Sequence, residues 1–173
     1  VAQFTFSVQE IELALVAAHE RGVKVRLAMD TGQDRNGSVS RRLAAAGVDV
    51  RFIAGRDAGR FQGLQHAKFM RVDGRTLVMG SNNWSSTGTT INEENTMVVE
   101  GASGDPLVDA FGCYFEVVWS QGHESAAVCN TDEVAFTPGT SGIRMLKTAL
   151  RGAERSIDVL MHHLVFDDLV KEL

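Results

Sequence analysis

A short stretch of the chain, residues 65–83, gathers side chains that suit chemistry at a phosphate. His66 and Lys68 stand two positions apart, and a strand would direct both side chains to one face. A hydroxyl and a carboxamide follow at Ser81 and Asn83. A nucleophile, a cation and two hydrogen-bonding groups in one segment predict a phosphate site.

Each of these side chains has a chemical use and an ordinary structural one. Imidazole titrates near ~6.5, so His66 at neutral pH can attack phosphorus and form a covalent phosphohistidine. Lys68 would offset the negative charge that develops in the transition state. Ser81 and Asn83 can donate hydrogen bonds to phosphate oxygens, or they can cap the next helix. His66 could instead be a structural histidine whose ring nitrogens are hydrogen-bonded within the protein, and Lys68 could be an ordinary surface lysine.

The elements that must position this segment alternate between strands and helices. The predicted order is a strand at residues 1–6, a helix at 8–21, a strand at 23–29, a helix at 38–46 and a strand at 48–53. This alternation favours an α/β layered domain.

The motif is predicted to lie on a hairpin that is preceded by a loop. Residues 54–64 are rich in glycine and arginine, which predicts a mobile loop leading into the strand of the histidine and the lysine. Asp73 and Gly74 predict a tight turn, and residues 76–79 form the returning strand. A further strand is predicted at residues 95–99.

The next part of the chain predicts a long helix and then a linker. Phe111, Phe115 and Trp119 recur every four residues within residues 107–119, which predicts an aromatic core stripe on a helix. The polar residues 122–132 predict a linker between this helix and the last part of the chain.

The end of the chain predicts a second, truncated unit at residues 133–173. It would contain a strand at 133–136, a helix at 142–153 and a strand at 156–161. Residues 159–173 can also be laid loosely over the start of the chain. We therefore expect a chain that begins within the first strand of one unit and stops as a second unit begins.

Charge is unevenly distributed along the chain, whose formal net charge is −5. Residues 21–75 hold twelve lysines and arginines against five acidic residues, whereas residues 76–143 hold nine acidic residues and no lysine or arginine. Most of these side chains would form solvated surface. The basic segment runs into the motif and favours an anion there. The total charge lacks the strong positive excess of a dedicated nucleic-acid binder.

The composition is that of an ordinary soluble globular protein, with 44% hydrophobic and 23% charged residues among 173. No run approaches the roughly 18 apolar residues of a membrane span, and no signal peptide is visible. Cys113 and Cys129 can pair in an oxidising compartment or remain two buried thiols. The localisation stays open, with export and association with a membrane surface as options.

The full pattern, His-x-Lys-x4-Asp-x6-Gly-Ser-x-Asn, fixes six identities and resembles the signature of the phospholipase D superfamily. Asp73 and Gly80 supply its remaining positions, and the resemblance implies structural roles for both. Asn92, Glu94 and Asn95 look like the N-x-E-N segment that closes the family motif.

This resemblance extends over residues 1–121, and residues 133–173 are similar to the opening strand-helix-strand unit of the family. It implies an α/β fold, namely a phospholipase D-like layered sandwich of a mixed β-sheet flanked by helices, with the start of a second repeat. The implied mechanism needs no cofactor and no metal, and no cluster in the sequence has metal-ligand spacing.

The resemblance also implies a role for each polar residue of the motif. His66 would be the nucleophile or its acid/base partner, and Lys68 and Asn83 would clamp the phosphate. Ser81 would be an auxiliary donor. Glu94 would accept the other ring N–H of a histidine and fix its tautomer.

One His-x-Lys motif makes half of a site in this family, because a second histidine protonates the leaving oxygen and later activates water. The second motif would come from a following repeat of the same polypeptide or from an identical subunit across a two-fold axis. The repeat at the end of the chain favours the first source.

The activity implied by the resemblance is hydrolysis of a phosphodiester through a phosphohistidine intermediate, with a phospholipid as the favoured substrate. Two alternatives stay open. One is a nuclease of the same superfamily that acts on DNA or RNA. The other is a non-catalytic module that binds anionic lipid or nucleic acid.

Overall fold

The computed structural model describes residues 1–163 and residue 167. Within these residues one sheet contains seven strands: β1 (Ala2–Gln3), β2 (Arg26–Asp30), β3 (Asp49–Asp57), β4 (Gln62–Leu64), β5 (Phe69–Val72), β6 (Thr76–Gly80) and β7 (Thr96–Glu100). The α-helices of the same residues are α1 (Gln9–Glu20), α2 (Val39–Ala45), α3 (Ser86–Thr90), α4 (Pro106–Trp119) and α5 (Ser141–Arg151). None of these helices is long and apolar enough to cross a membrane.

The sheet is mixed and has the spatial order β4-β3-β2-β1-β5-β6-β7. Its centre is parallel, because α1 leads from β1 to β2 and α2 leads from β2 to β3. Ala28 of β2 pairs with Ala2 on one side and with Arg51 on the other. The remaining neighbours pair antiparallel. The predicted mixed sheet is confirmed.

Helices cover both faces of the sheet, which gives the predicted layered sandwich. Ala28 packs with the buried aromatic residues of α4, whereas its neighbours Leu27 and Met29 pack with apolar residues of α1 and α2. This alternation is what a strand buried on both faces requires. The predicted aromatic stripe of α4 is confirmed, because all three of its members are buried: Phe111, Phe115 and Trp119.

Phe69 on β5 is a buried aromatic residue directly behind the motif. It is 2% exposed, and its ring contacts that of Phe111 edge-on with 5.1 Å between centroids. Phe69→Ala should lower the free energy of unfolding by about 3–5 kcal/mol, because the core keeps a large cavity. Urea denaturation would measure this loss.

Val72→Ala on the same strand is the matched control, because Val72 is exposed. It should change the free energy of unfolding by less than about 0.5 kcal/mol. A loss below about 1 kcal/mol for Phe69→Ala would contradict the packing of this ring against α4.

The glycine- and arginine-rich residues 54–64 form a hairpin, so the prediction of a loop is wrong. β3 continues to Asp57, and β4 pairs back against it. Gly55 and Gly63 let the two backbones approach closely, since a Cβ on Gly55 would stand 2.1 Å from the carbonyl carbon of Gly63. The two glycines therefore allow the backbones of β3 and β4 to come into close contact.

The linker predicted at residues 122–132 contains a 3-10 helix, His123–Cys129, that is tied to α4. A disulfide joins Cys113 of α4 to Cys129, with the two Cα atoms 5.6 Å apart. Of the two alternatives for these cysteines, the paired one is observed.

Beyond the linker, the described residues differ from the prediction in two places. α5 agrees with the helix predicted at residues 142–153. The strands predicted at 133–136 and 156–161 do not form, since these segments pair with no strand of the described residues. Phe136 is instead buried against the aromatic residues of α4. Most of residues 159–173 lies outside the described residues, and the second unit stays a prediction.

Candidate active site

His66 and Lys68 lie side by side in the segment that joins β4 to β5. Nζ of Lys68 lies 3.2 Å from Nδ1 of His66 and donates a hydrogen bond to the His66 carbonyl oxygen at 2.8 Å. The strand predicted for this pair begins only at Phe69, directly after Lys68. The prediction that both residues lie on a strand is therefore wrong, yet the two side chains still meet.

The ring of Phe4, which lies just after β1, packs against both side chains. Its centroid lies 4.7 Å from that of the His66 imidazole and 5.7 Å from Nζ of Lys68. A cation near an aromatic face is stabilised by the quadrupole of the ring. No sequence pattern singled out Phe4, because its only signal was a position just beyond a central strand.

Burial lowers the pKa of both members of this pair. Desolvation lowers the pKa of His66 below its ordinary value, the charge of Lys68 lowers it further, and the carboxylate of Asp30 acts in the opposite direction. Desolvation also lowers the pKa of Lys68, an effect that Glu94 opposes. At neutral pH the His66 ring is therefore neutral, which is the form that has a free nitrogen lone pair.

Ser81 and Asn83 come directly after β6, and backbone groups from two different segments hold them. Oγ of Ser81 accepts a hydrogen bond from the N–H of Asn95 at 3.0 Å. Oδ1 of Asn83 accepts one from the N–H of Thr5 at 3.2 Å. Neither residue caps the next helix, because the N-cap of α3 is Ser85. With the oxygen of Asn83 engaged, its NH2 group is the part that can donate to a phosphate oxygen.

Asp73 and Gly80 lie at the two ends of the strand hairpin. A Cβ on Gly80 would stand 2.1 Å from the carbonyl oxygen of Asn95, so β6 and β7 approach too closely for any other residue. Asp73 and Gly74 form the turn between β5 and β6, with positive φ angles of 50° and 67°. This turn is at the far end of β5 from His66, which favours an indirect role for Asp73.

Glu94 lies near Lys68 and is held by neighbouring polar groups. Hydrogen bonds from Ser81 and Asn92 keep the pKa of its carboxyl group below the ordinary value, and Lys68 adds to the effect. Nδ2 of Asn92 donates to Oε1 of Glu94 at 3.2 Å. These partners fix the carboxylate beside the cation of the motif. Its role in orienting a histidine stays a prediction.

A buried carboxylate that the sequence patterns did not reveal lies behind the motif. Asp30 ends β2, is 2% exposed, and accepts a hydrogen bond from the N–H of Gln65 at 2.8 Å. Gln65 is also buried and directly precedes His66. The available signal was an acidic residue at the carboxyl end of a parallel strand, where α/β proteins place their ligand sites.

A cavity of about 750 Å³ opens beside the motif. Its polar side chains include His66, Lys68, Ser81, Arg56 and Asn95. Its other walls are largely apolar and include these residues: Met79, Met97, Phe111, Tyr114, Phe136 and Pro138. Burial raises the pKa of the Tyr114 phenol, which therefore stays protonated at neutral pH. The cavity thus joins a charged rim to apolar walls.

Two further histidines, His162 and His163, contact each other with 5.2 Å between ring centroids, and both are exposed. Neither lines the cavity beside the motif. Across the described part of the chain, no three His, Cys, Asp or Glu side chains are grouped so that they could hold a metal ion.

The chain matches known proteins over its first two thirds. The family described as "Cardiolipin synthase, PLD-like domain" matches residues 1–119. The mitochondrial cardiolipin hydrolase of Homo sapiens is 35% identical over 119 residues, which are 68% of this chain and 44% of that protein. The mitochondrial cardiolipin hydrolase of Danio rerio is 37% identical over 117 residues, which are 67% and 48%. The chain therefore spans about half the length of these curated relatives.

A solved structure gives the same result for the fold. The phospholipase D family member Nuc from Salmonella typhimurium is similar with a TM-score of 0.59 and 28% identity, over 69% of this chain and 76% of that chain. The mixed sheet, the helices on both of its faces and the His-x-Lys motif of this chain all agree with the family match. The chain belongs to the phospholipase D superfamily, and the resemblance drawn from its motif is confirmed.

Proposed function

We propose that this protein is a phosphodiesterase that works through a phosphohistidine intermediate. The observation that carries the proposal is the pair of His66 and Lys68, with Nζ of Lys68 3.2 Å from Nδ1 of His66, at the rim of a cavity. A ring nitrogen of His66 would bond to phosphorus while the bond from phosphorus to the leaving oxygen breaks. Lys68 and the NH2 group of Asn83 would stabilise the negative charge on the non-bridging oxygens. Water then adds to phosphorus, the phosphorus–nitrogen bond breaks, and a phosphomonoester leaves.

A second acid/base group would complete these steps. It protonates the leaving oxygen and later removes a proton from the attacking water. We propose that a second His-x-Lys motif supplies it, either from a following repeat of the same polypeptide or from a second copy of the chain across a two-fold axis. The helix α5 agrees with the helix predicted for a second unit at residues 133–173 and favours the first source, whereas the two strands predicted for that unit do not form in the described residues.

We propose a phospholipid as the substrate. The apolar walls of the cavity support this choice, because they offer the apolar part of a lipid a place beside the groups that would hold its phosphate. Relatives named cardiolipin hydrolase point in the same direction. Such a substrate would bring the active protein to a membrane surface.

A nuclease of the same superfamily is the second candidate, because a nucleic-acid backbone offers the same diester. The observation that favours it is the basic hairpin, on which Arg56 lines the cavity and Arg60 is exposed. The net charge of −5 acts against it, since strong non-specific binding of DNA needs many phosphate contacts.

Headgroup release from mixed phospholipid vesicles, compared with cleavage of single-stranded DNA, separates the two candidates. We expect the full-length protein to release headgroup, with only weak DNA cleavage that declines as the salt concentration rises. Both assays should be run at a low salt concentration and at a physiological one. DNA cleavage without lipid hydrolysis would overturn the phospholipid proposal. Binding to vesicles or DNA without any turnover would identify a non-catalytic module.

A further inference from the structure

We propose that Asp30 and Gln65 are positioning residues that hold the backbone on both sides of His66 and keep its ring beside the buried Asp30 side chain. Their role depends on the proposed function, in which His66 is the nucleophile. It is carried by the hydrogen bonds around residue 66 and by the burial of both side chains.

The segment that contains His66 lacks the hydrogen-bond ladder that fixes a strand. β4 ends at Leu64 and β5 begins at Phe69, so residues 65–68 belong to no strand. Backbone N–H groups that leave a ladder in a buried place need other partners. The position of the His66 ring therefore depends on the groups that bind the backbone beside it.

Asp30 and Gln65 supply these partners on both sides of His66. Oδ2 of Asp30 accepts a hydrogen bond from the N–H of Gln65, the residue before His66, at 2.8 Å. Oε1 of Gln65 accepts one from the N–H of Ala67, the residue after it, also at 2.8 Å. Two side chains thus hold the backbone immediately before and after the imidazole.

This network is fixed to the centre of the sheet. Oδ1 of Asp30 accepts a hydrogen bond from the N–H of Gly32 at 2.8 Å. Nε2 of Gln65 donates to the carbonyl oxygens of Gln3 and Ala28 at 3.3 and 3.4 Å. Asp30 and Gln65 are 2% and 5% exposed. Hydrogen bonds shielded from water to this degree hold their geometry against solvent competition.

The charged groups near His66 act on its pKa in opposite directions. The cation of Lys68 lowers it and the carboxylate of Asp30 raises it, while burial lowers it. Glu94 acts on Lys68, whose pKa it raises. Removal of the Asp30 charge should therefore lower the pKa of His66, so that the neutral ring persists to lower pH.

Asp30→Asn tests this role through an NMR titration of the His66 ring protons in this chain. We expect the His66 transition to move to lower pH. Asp57→Asn is the matched control, because Asp57 accepts a hydrogen bond from the N–H of Gly59 at 2.8 Å, with the same spacing of two residues as in the Asp30 turn. Asp57 lies on the exposed hairpin, and its loss should leave the transition in place. A His66 transition that is equal in both variants would overturn the proposal.

Gln65→Met tests the positioning of His66 without removing a charge. It also provides a test of the proposal if Asp30→Asn does not fold. Methionine keeps the volume of glutamine but cannot accept the hydrogen bond from Ala67. We expect faster amide hydrogen exchange at Ala67, and a ~10- to 100-fold lower kcat in the full-length protein because the nucleophile is misplaced. Wild-type exchange at Ala67 together with wild-type kcat would overturn the proposal. The titration and the exchange measurement use no substrate, so they remain informative if the phosphodiesterase proposal fails.

Discussion

His66→Asn should reduce kcat/KM by at least ~10³-fold while it leaves the fold intact. Asparagine has no ring nitrogen with a nucleophilic lone pair, so the bond to phosphorus cannot form. The His66 ring lies at the rim of the cavity and outside the buried core, so the free energy of unfolding should change by less than about 0.5 kcal/mol. Headgroup release by the full-length protein measures the first effect, and urea denaturation measures the second.

His19→Asn is the matched control for this substitution, because His19 lies on α1 beside Gly47 and does not line the cavity. It should retain wild-type turnover. If His66→Asn turns over as fast as His19→Asn, a phosphohistidine at residue 66 is excluded.

Lys68→Met should lower kcat by about 10²- to 10³-fold, because the phosphate loses the cation that stabilises its developing charge. Methionine retains an unbranched chain of similar length, so its thioether can pack against the Phe4 ring near the place that Nζ occupies. Lys24→Met is the control, since Lys24 is exposed near the start of β2, at the end of that strand opposite Asp30. A wild-type kcat in Lys68→Met would show that Lys68 has no part in the mechanism.

The same variant should move the acid limb of the pH–rate profile to higher pH. The Lys68 charge lowers the pKa of His66, so its loss lets that pKa rise and protonates more of the ring at a given pH. In the wild-type protein the lowered pKa of His66 should keep the acid limb below about 6.5. An acid limb that stays in place or moves to lower pH in Lys68→Met would contradict this coupling.

The order of elements and the motif could be predicted because both depend on short-range patterns. The predicted bounds of α1 and α4 are confirmed within one residue at each end. The turn at Asp73 and Gly74 is also where the sequence predicts it, since a positive φ at both positions is a local requirement. Patterns of this kind need no knowledge of the rest of the fold.

The features that could not be predicted depend on contacts between distant residues. Gly55 and Gly63 indicate a loop when taken alone, and only the partner strand shows why both must be glycine. The hydrogen bond from Gln65 to Asp30 joins residues 35 positions apart. Phe4 meets His66 only because β1 lies beside β5 in the sheet. No local pattern contains this information.

The cysteines and the predicted strands near the end of the chain show the same dependence. A spacing of 16 residues between Cys113 and Cys129 allows either state, and the disulfide exists because the 3-10 helix folds back on α4. Residues 133–136 have an apolar pattern that suits a strand. They form none in the described residues, because a strand also needs a neighbour to pair with.

The tie between Thr5 and Asn83 has a consequence for how reactivity arises during folding. These residues are 78 positions apart, and Gln65 reaches Gln3 across 62 positions. Closing such long loops costs chain entropy before the contact itself adds stability, so we expect contacts of this kind to form late in folding. A nascent chain or a partly folded intermediate would contain the histidine and the lysine without the geometry that makes them reactive. Under the proposed function, the ability of His66 to attack a phosphate would therefore arise only after these distant segments of the chain have met.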